Sequence, residues 1–217
     1  MKASTKSLLP LLLTALLAAC SSAPTQPEPS KPDSSANTPA PPVDPNATPQ
    51  ARFSAAVELM KNGQMDDAEK ALVGVCKDLP KASGPWTNLG IIYAKSKRRD
   101  AALNALNRAV ALKPDNAVAW NWLGIEYREA GDYTHAQAAY EQAIKINPAE
   151  PLNHLNYGIL LDQYLRRPQD AIAQYKQYQS VLGKEDLRSM AWVAELQAAN
   201  KPAVAPAPAA APGAAQP

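Results

Sequence analysis

The thiols and imidazoles of this 217-residue chain, the groups most often used to ligate zinc or to carry a proton near neutral pH, are four: Cys20, Cys76, His135 and His154. A zinc site needs three or four such groups converging, usually from short, fixed spacings. No spacing here links the histidines to a thiol or carboxylate set of that kind. A cysteine nucleophile needs a neighbouring base and a lowered pKa. Cys76 instead shares its slot with Val110 and Ile144, one and two periods of 34 residues further on, and reads as a small buried apolar residue. His135 follows a Gly131-Asp132 turn and reads as solvent-facing, whereas His154 falls in a packing slot. No Gly-x-Ser-x-Gly, no phosphate-cradling glycine loop and no His-Glu-x-x-His occurs. The expectation is a protein with no catalytic residue, no metal and no cofactor, which is not an enzyme and has no small-molecule substrate.

The elements that position these residues repeat. Pro80, Pro114 and Pro148 stand 34 residues apart, and Trp86, Leu89, Gly90 and Tyr93 recur as Trp120, Leu123, Gly124 and Tyr127. Ala68, Ala102 and Ala136 share one slot, and Leu72, Leu106 and Tyr140 share another. A period of this length marks stacked helical hairpins, none of which buries its apolar face alone. Trp120, Leu123, Gly124 and Tyr127 fall at i, i+3, i+4 and i+7, one face of a helix. Ala136, Tyr140 and Ala143 do the same on a second helix, and Pro148 ends the hairpin because it cannot donate to a helix. Glycine and alanine let the paired helices approach closely. Four repeats follow, at 49–82, 83–116, 117–150 and 151–184. The first has Arg52 in the Trp slot and Ala56 in the Gly slot; the fourth has His154 in the Trp slot. The fourth also needs one extra residue, expected in the turn Leu165-Arg166-Arg167-Pro168, before Ala171, Tyr175 and Tyr178 fall into place. Leu187, Met190, Ala191, Val193 and Leu196 mark a last helix, about 185–199, read as the cap over the final apolar face.

These spacings resemble tetratricopeptide repeats over about 49–182. The resemblance implies an all-α fold, an α-solenoid of about four helical hairpins plus a C-terminal capping helix. It implies a binding function, with ligand contacts from the first helix of each hairpin. The implied groove positions are Phe53, Val57, Met60 and Lys61 in repeat 1; Thr87, Ile91, Ala94 and Lys95 in repeat 2; Val118, Asn121, Ile125, Arg128 and Glu129 in repeat 3; and Leu152, Leu155, Ile159, Asp162 and Gln163 in repeat 4, with Asn88 and Asn156 at a site where such proteins often keep Asn. Ile91, Ile125 and Ile159 recur at the period, and Val57 extends the row by one place. Such an apolar ladder fits either a groove for an apolar peptide or amphipathic helix, or extra packing between first helices. The carboxylate-clamping set of chaperone-binding relatives is not reproduced, because Phe53 and Val57 replace its first Lys and Asn.

The ends of the chain read differently. Lys2 and Lys6, an apolar run from Leu8 to Leu17 and then small residues form a secretory signal, too short to span a bilayer. The ending Leu17-Ala18-Ala19-Cys20 resembles a bacterial lipobox. That resemblance implies removal of 1–19 and lipidation of Cys20, an anchor in which each buried methylene contributes roughly 0.8 kcal/mol. Ser21, in place of an aspartate, implies export to the bacterial outer membrane, facing the periplasm. Residues 20–48 form a proline-rich tether; nine prolines fall in 21–49, with almost no large apolar side chain. Its reach is at most roughly 90 Å in polyproline geometry. Residues 200–217 form an Ala/Pro-rich tail expected to stay unfolded.

The formal net charge is +2, and losing Lys2 and Lys6 leaves 20 basic against 20 acidic residues. A chain balanced in this way lacks the footprint of nucleic-acid binding. Lys97, Arg98 and Arg99 at the turn of repeat 2, with Arg166 and Arg167 at that of repeat 4, form a basic edge. It reads as solvated turns or as contact with an acidic partner, anionic lipid or cell wall. The combined expectation is an outer-membrane-anchored periplasmic scaffold, membrane-bound through its lipid, that holds a protein or peptide segment of an envelope complex. In architecture it resembles pilotin-type lipoproteins that assist secretin and pilus assembly. An adaptor for peptidoglycan enzymes or outer-membrane protein assembly, and a wall-contacting structural spacer, are the alternatives.

Overall fold

The structure, a computed structural model, describes residues 43–44 and 46–200. The signal segment, Cys20, most of the tether and the tail beyond Asn200 lie outside them. Among the described residues every regular element is helical: α1 (Pro49–Lys61), α2 (Met65–Asp78), α3 (Ser83–Lys95), α4 (Arg99–Leu112), α5 (Ala117–Glu129), α6 (Tyr133–Ile146), α7 (Pro151–Ile159) continued by a π turn (Leu160–Tyr164), α8 (Pro168–Leu182) and α9 (Leu187–Ala199). Consecutive helices pair as antiparallel hairpins, and each hairpin packs on the next. The first helices also meet directly, α3 with α5 and α5 with α7, more extensively than the second helices do. First helices therefore line the inner side of the stack.

Local chemistry sets the helix ends. Pro49, Pro151 and Pro168 stand at helix starts, where a missing N–H costs nothing. Thr48, Asn116 and Asp132 each accept a hydrogen bond from a first-turn N–H. Asn116 has a second use: its amide donates to Ser83 Oγ and Thr87 Oγ1, both at 2.8 Å, and so ties the start of α5 to α3.

The co-variation of Trp with Pro has a direct cause. Trp86 Nε1 donates to the Pro80 carbonyl at 3.3 Å, and Trp120 Nε1 to that of Pro114 at 2.8 Å. His154 performs the same task, with Nε2 2.9 Å from the Pro148 carbonyl. That carbonyl can only accept, so Nε2 carries the proton. Even Arg52 keeps a version, donating from Nε to the Ala47 carbonyl. The latches at Trp86, Trp120 and His154 each fix the link between one hairpin and the next.

The core runs along the stack as three linked clusters, centred on Leu72 and Leu89, on Leu106 and Leu123, and on Tyr140, Leu160 and Tyr175. Gly90, Gly124 and Gly158 are where the paired helices come closest. A Cβ on Gly124 would stand 2.5 Å from the Tyr140 ring, and one on Gly158 2.6 Å from that of Tyr175.

The extra residue of repeat 4 is not in the turn where the sequence reading put it. It is absorbed inside the helix. In hairpins 1 to 3 the turn closes with an N–H reaching back five residues, from Gln64 to Leu59, Arg98 to Tyr93 and Asp132 to Tyr127; in hairpin 4 Arg167 reaches back six, to Leu161. Leu165 N–H bonds to the Leu160 carbonyl at 3.0 Å, the i→i−5 bond of a π turn. The left-handed residue of each turn follows suit: Gly63, Lys97 and Gly131 are 34 apart, and Arg166 comes 35 after Gly131.

The cap also differs in detail. Val193 is buried, and Trp192 and Leu196 pack beside it against the last core cluster, with Trp192 5.5 Å from Tyr175 between ring centres. Leu187 and Met190, expected to cover that core, point outward instead.

Candidate partner-binding groove

The inner face presents α1, α3, α5 and α7 in order, and α9, packed on α8, follows in the slot of a first helix. Leu187 stands 35 residues after Leu152, which is the period plus the π-turn residue.

The predicted groove residues separate into three groups. Val57, Ile91, Ile125 and Ile159 are all half-buried, and Ile125 and Ile159 rest their inner sides on the core of repeats 3 and 4. Thr87 and Asn121 are buried. The Thr87 hydroxyl donates to the Ser83 carbonyl at 3.0 Å and accepts from Asn116, while Asn121 accepts from Asn156 at 3.2 Å. These polar groups join first helices to one another and are not free for a ligand. Asn88 and Asn156 are half-buried and Lys95 is exposed. Asp162 accepts from the Tyr175 hydroxyl at 3.3 Å. Arg128 pairs with Glu129 at 3.1 Å and lies 5.8 Å from the Tyr164 ring centre.

The largest apolar exposure among the described residues lies about two turns earlier on the same helices and at the start of α9. Val118 is 54% exposed, Leu152 52% and Leu187 75%, and all three occupy the start of successive first helices. Met190 adds to this ridge at 45%. Val118 and Leu152 were legible as groove positions. Leu187 was not, because the π-turn residue shifts its register.

The basic edge is partly neutralised. Arg98 donates to Glu69 of the preceding hairpin, at 2.9 Å through one nitrogen, and its guanidinium lies 4.5 Å from the Tyr93 ring centre. Arg98 holds the Glu69 carboxyl below its ordinary range, against the effect of partial burial. Arg167 pairs with Asp170 at 2.7 Å and also reaches Gln137, the residue two periods after Glu69. Lys97, Arg99 and Arg166 make no ion pair among the described residues.

Lys95, Lys97, Arg99, Trp122, Ile125, Glu126 and Glu129 line a concavity of about 260 Å³. Glu126 is only 6% exposed, and burial raises its pKa despite the opposing pull of Arg99.

Elsewhere the reactive groups are occupied or inert. His135 is exposed and hydrogen-bonds its ring to Asp132 at 2.6 Å. His154 is buried between Pro148 and Gln174. Cys76 is a free, buried thiol whose pKa is pushed up to about 11 by loss of solvent. Among the described residues no group of three or more His, Cys, Asp or Glu is placed to hold a metal. Nor is any described helix long and apolar enough to cross a membrane.

Comparison with known proteins places the array. Two family models, both described as tetratricopeptide repeat, match residues 59–123 and 117–149. Among solved structures, MamA is 25% identical with a TM-score of 0.57, the match covering 64% of this chain and 81% of that one. PilF of Pseudomonas aeruginosa superposes with a TM-score of 0.64 at 16% identity, over 70% of this chain and 69% of its own. A thermophilic tetratricopeptide protein of Thermus thermophilus gives 0.59 at 21% identity, over 71% and 84%. With period, latches and helix pairing already in place, residues 59–149 match tetratricopeptide repeats, and the fold of the described residues is an α-solenoid of such helical hairpins.

Proposed function

We propose that this solenoid acts by binding, not catalysis, and captures a segment of a protein partner on its inner face. The observation that carries the reading is the double apolar line there: the half-exposed Ile91, Ile125 and Ile159, and the protruding Val118, Leu152 and Leu187. Rows at one helix-to-helix spacing suit an extended or helical peptide laid across the first helices. Such a preformed face spends little ordering entropy on binding.

The site of action in this proposal is the bacterial outer membrane, on its periplasmic side. The lipobox resemblance at Leu17-Ala18-Ala19-Cys20 supports lipidation of Cys20, and the proline-rich 20–48 supports a tether that lets the solenoid stand off the bilayer. The order lipobox, tether, repeats resembles pilotin-type lipoproteins and supports a role in assembling a pilus or secretin complex. The spacer alternative has less support, since Arg98 and Arg167 of the basic edge are engaged by Glu69 and Asp170.

The test is affinity capture from solubilised envelopes with wild-type protein, Ile91→Asp and Ile125→Asp. Both variants keep helical circular dichroism and lose the partner. If each retains every wild-type partner, the inner face is not the binding surface. Radiolabelled palmitate incorporated by wild type and absent from Cys20→Ser checks the anchor.

A further inference from the structure

The hollow at the turn of repeat 2 is an unusual surface for a solvated loop. Lys95, Lys97 and Arg99 converge on it, and none has an ion-pair partner among the described residues. Arg98, in the middle of the run, points away to Glu69 and Tyr93. The acids nearby offer limited compensation. Glu129 is engaged by Arg128, and Glu126 is buried beneath the surface.

The backbone adds a second sign. Lys97 sits at φ 58°, in the left-handed region that glycine fills at the same slot in hairpins 1 and 3, Gly63 and Gly131. A side chain that departs from glycine there strains the turn. The strain sets a cation at the rim of the hollow, and strained residues concentrate where a surface has work to do. Trp122 and Ile125 give the hollow its apolar part, beside Glu126 and Glu129, and Ile125 belongs also to the isoleucine row.

We infer that this hollow is an anion pocket at the turn end of the groove and receives an acidic side chain of the bound peptide, so that the partner segment is apolar with a glutamate or aspartate at that end. The inference rests on the peptide-binding reading above and adds the partner's chemistry to it. Concavity argues against a bilayer as occupant, because a planar array of headgroups meets protruding cations, not cations gathered around a recessed floor. An acidic side chain beside an apolar one fits both the charged rim and the Trp122–Ile125 floor. A charge-assisted contact of this kind is worth roughly ten-fold in affinity.

The probe is a pair of blocked amphipathic peptides, identical except that the glutamates of one are glutamines in the other. Each is titrated into the purified protein and followed by amide and methyl chemical shifts. The glutamate peptide binds about ten-fold tighter and shifts Lys95, Lys97, Arg99 and Ile125. The triple variant Lys95→Gln, Lys97→Gln, Arg99→Gln removes that difference, so that it binds the two peptides equally. Lys97→Gly raises the melting temperature by relieving the turn, yet weakens the glutamate peptide, opposite signs that a purely structural lysine would not give. Ile125→Asp weakens both peptides, which reports on the groove separately. Equal affinities for the two peptides in wild type overturn the anion pocket and leave the groove standing. Shifts in which Ile125 and the pocket never take part overturn both. Binding of phosphatidylglycerol vesicles that is lost in the triple variant, with no glutamate preference, assigns the cations to the membrane and overturns the inference.

Discussion

Gly124→Ala sets helix propensity against packing, and the structure decides the sign. Alanine is the better helix former by about 1 kcal/mol, so propensity alone predicts a more stable protein. The new Cβ, however, would lie 2.5, 2.6 and 2.8 Å from three carbons of the Tyr140 ring. Ordinary carbon contacts are about 3.5–4.0 Å. The ring is fully buried, so it cannot swing into solvent. Its hydroxyl has no hydrogen-bond partner, so the cost is steric alone. Overpacking of this kind costs typically about 1–3 kcal/mol, and an approach this short belongs at the upper end. Subtracting the propensity gain leaves a net loss of about 2 kcal/mol. Gly74→Ala in α2 is the internal control, since its Cβ would meet only Arg52 Nη1 at 3.7 Å. That variant gains up to about 1 kcal/mol. Urea unfolding followed by far-UV circular dichroism separates the two, because a loss of about 2 kcal/mol moves the midpoint by roughly 1 M. Gly124→Ala matching or exceeding Gly74→Ala in stability would refute the claim that close helix approach at this glycine sets the hairpin.

Three further predictions follow from single residues. Glu126→Gln is more stable than wild type at pH 7. A carboxyl whose folded pKa is raised opposes folding above that pKa and ceases to do so below its unfolded value, so the gap closes as pH falls from neutrality into the ordinary glutamate range; denaturation midpoints across that span measure it. Cys76, with its thiol pKa pushed up to about 11 and its side chain buried, resists alkylation in the folded protein at pH 8 and reacts once urea unfolds it, so fast native-state labelling would contradict the burial. Arg166→Gly stabilises by about 0.5–1 kcal/mol, because φ at this residue is 54°, and thermal melts of the single variant check it.

What the sequence reveals follows from what repeats. Trp86, Trp120, Gly90, Gly124 and the prolines meet the same neighbours in every hairpin, so their types recur and the hairpin stack is readable from spacing alone. The Trp-to-Pro latch is written in the same period, and His154 is intelligible within it once its bond to Pro148 is seen. The π turn is less legible. One inserted residue is evident, but whether a helix or a turn absorbs it depends on the i→i−5 bond from Leu165 to Leu160, which leaves no composition signal. For the inner face, spacing identifies the helices and the row, but not depth. Thr87 and Asn121 sit at groove positions, and only the distances to Asn116 and Asn156 show that they join helices. The pairing of Arg98 with Glu69, 29 residues away, is similarly invisible until the hairpins are stacked.

The central claim, that a partner lies along the first helices, is tested most directly by site-specific photo-crosslinking in intact cells. A benzophenone amino acid replaces Ile125 or Leu152 on the inner face, or Arg108 or Gln142, which are exposed on second helices. The account predicts one and the same crosslinked partner from both inner positions and none from the outer pair. Equal crosslinking from Arg108 and Gln142, or labelling from them alone, would contradict it.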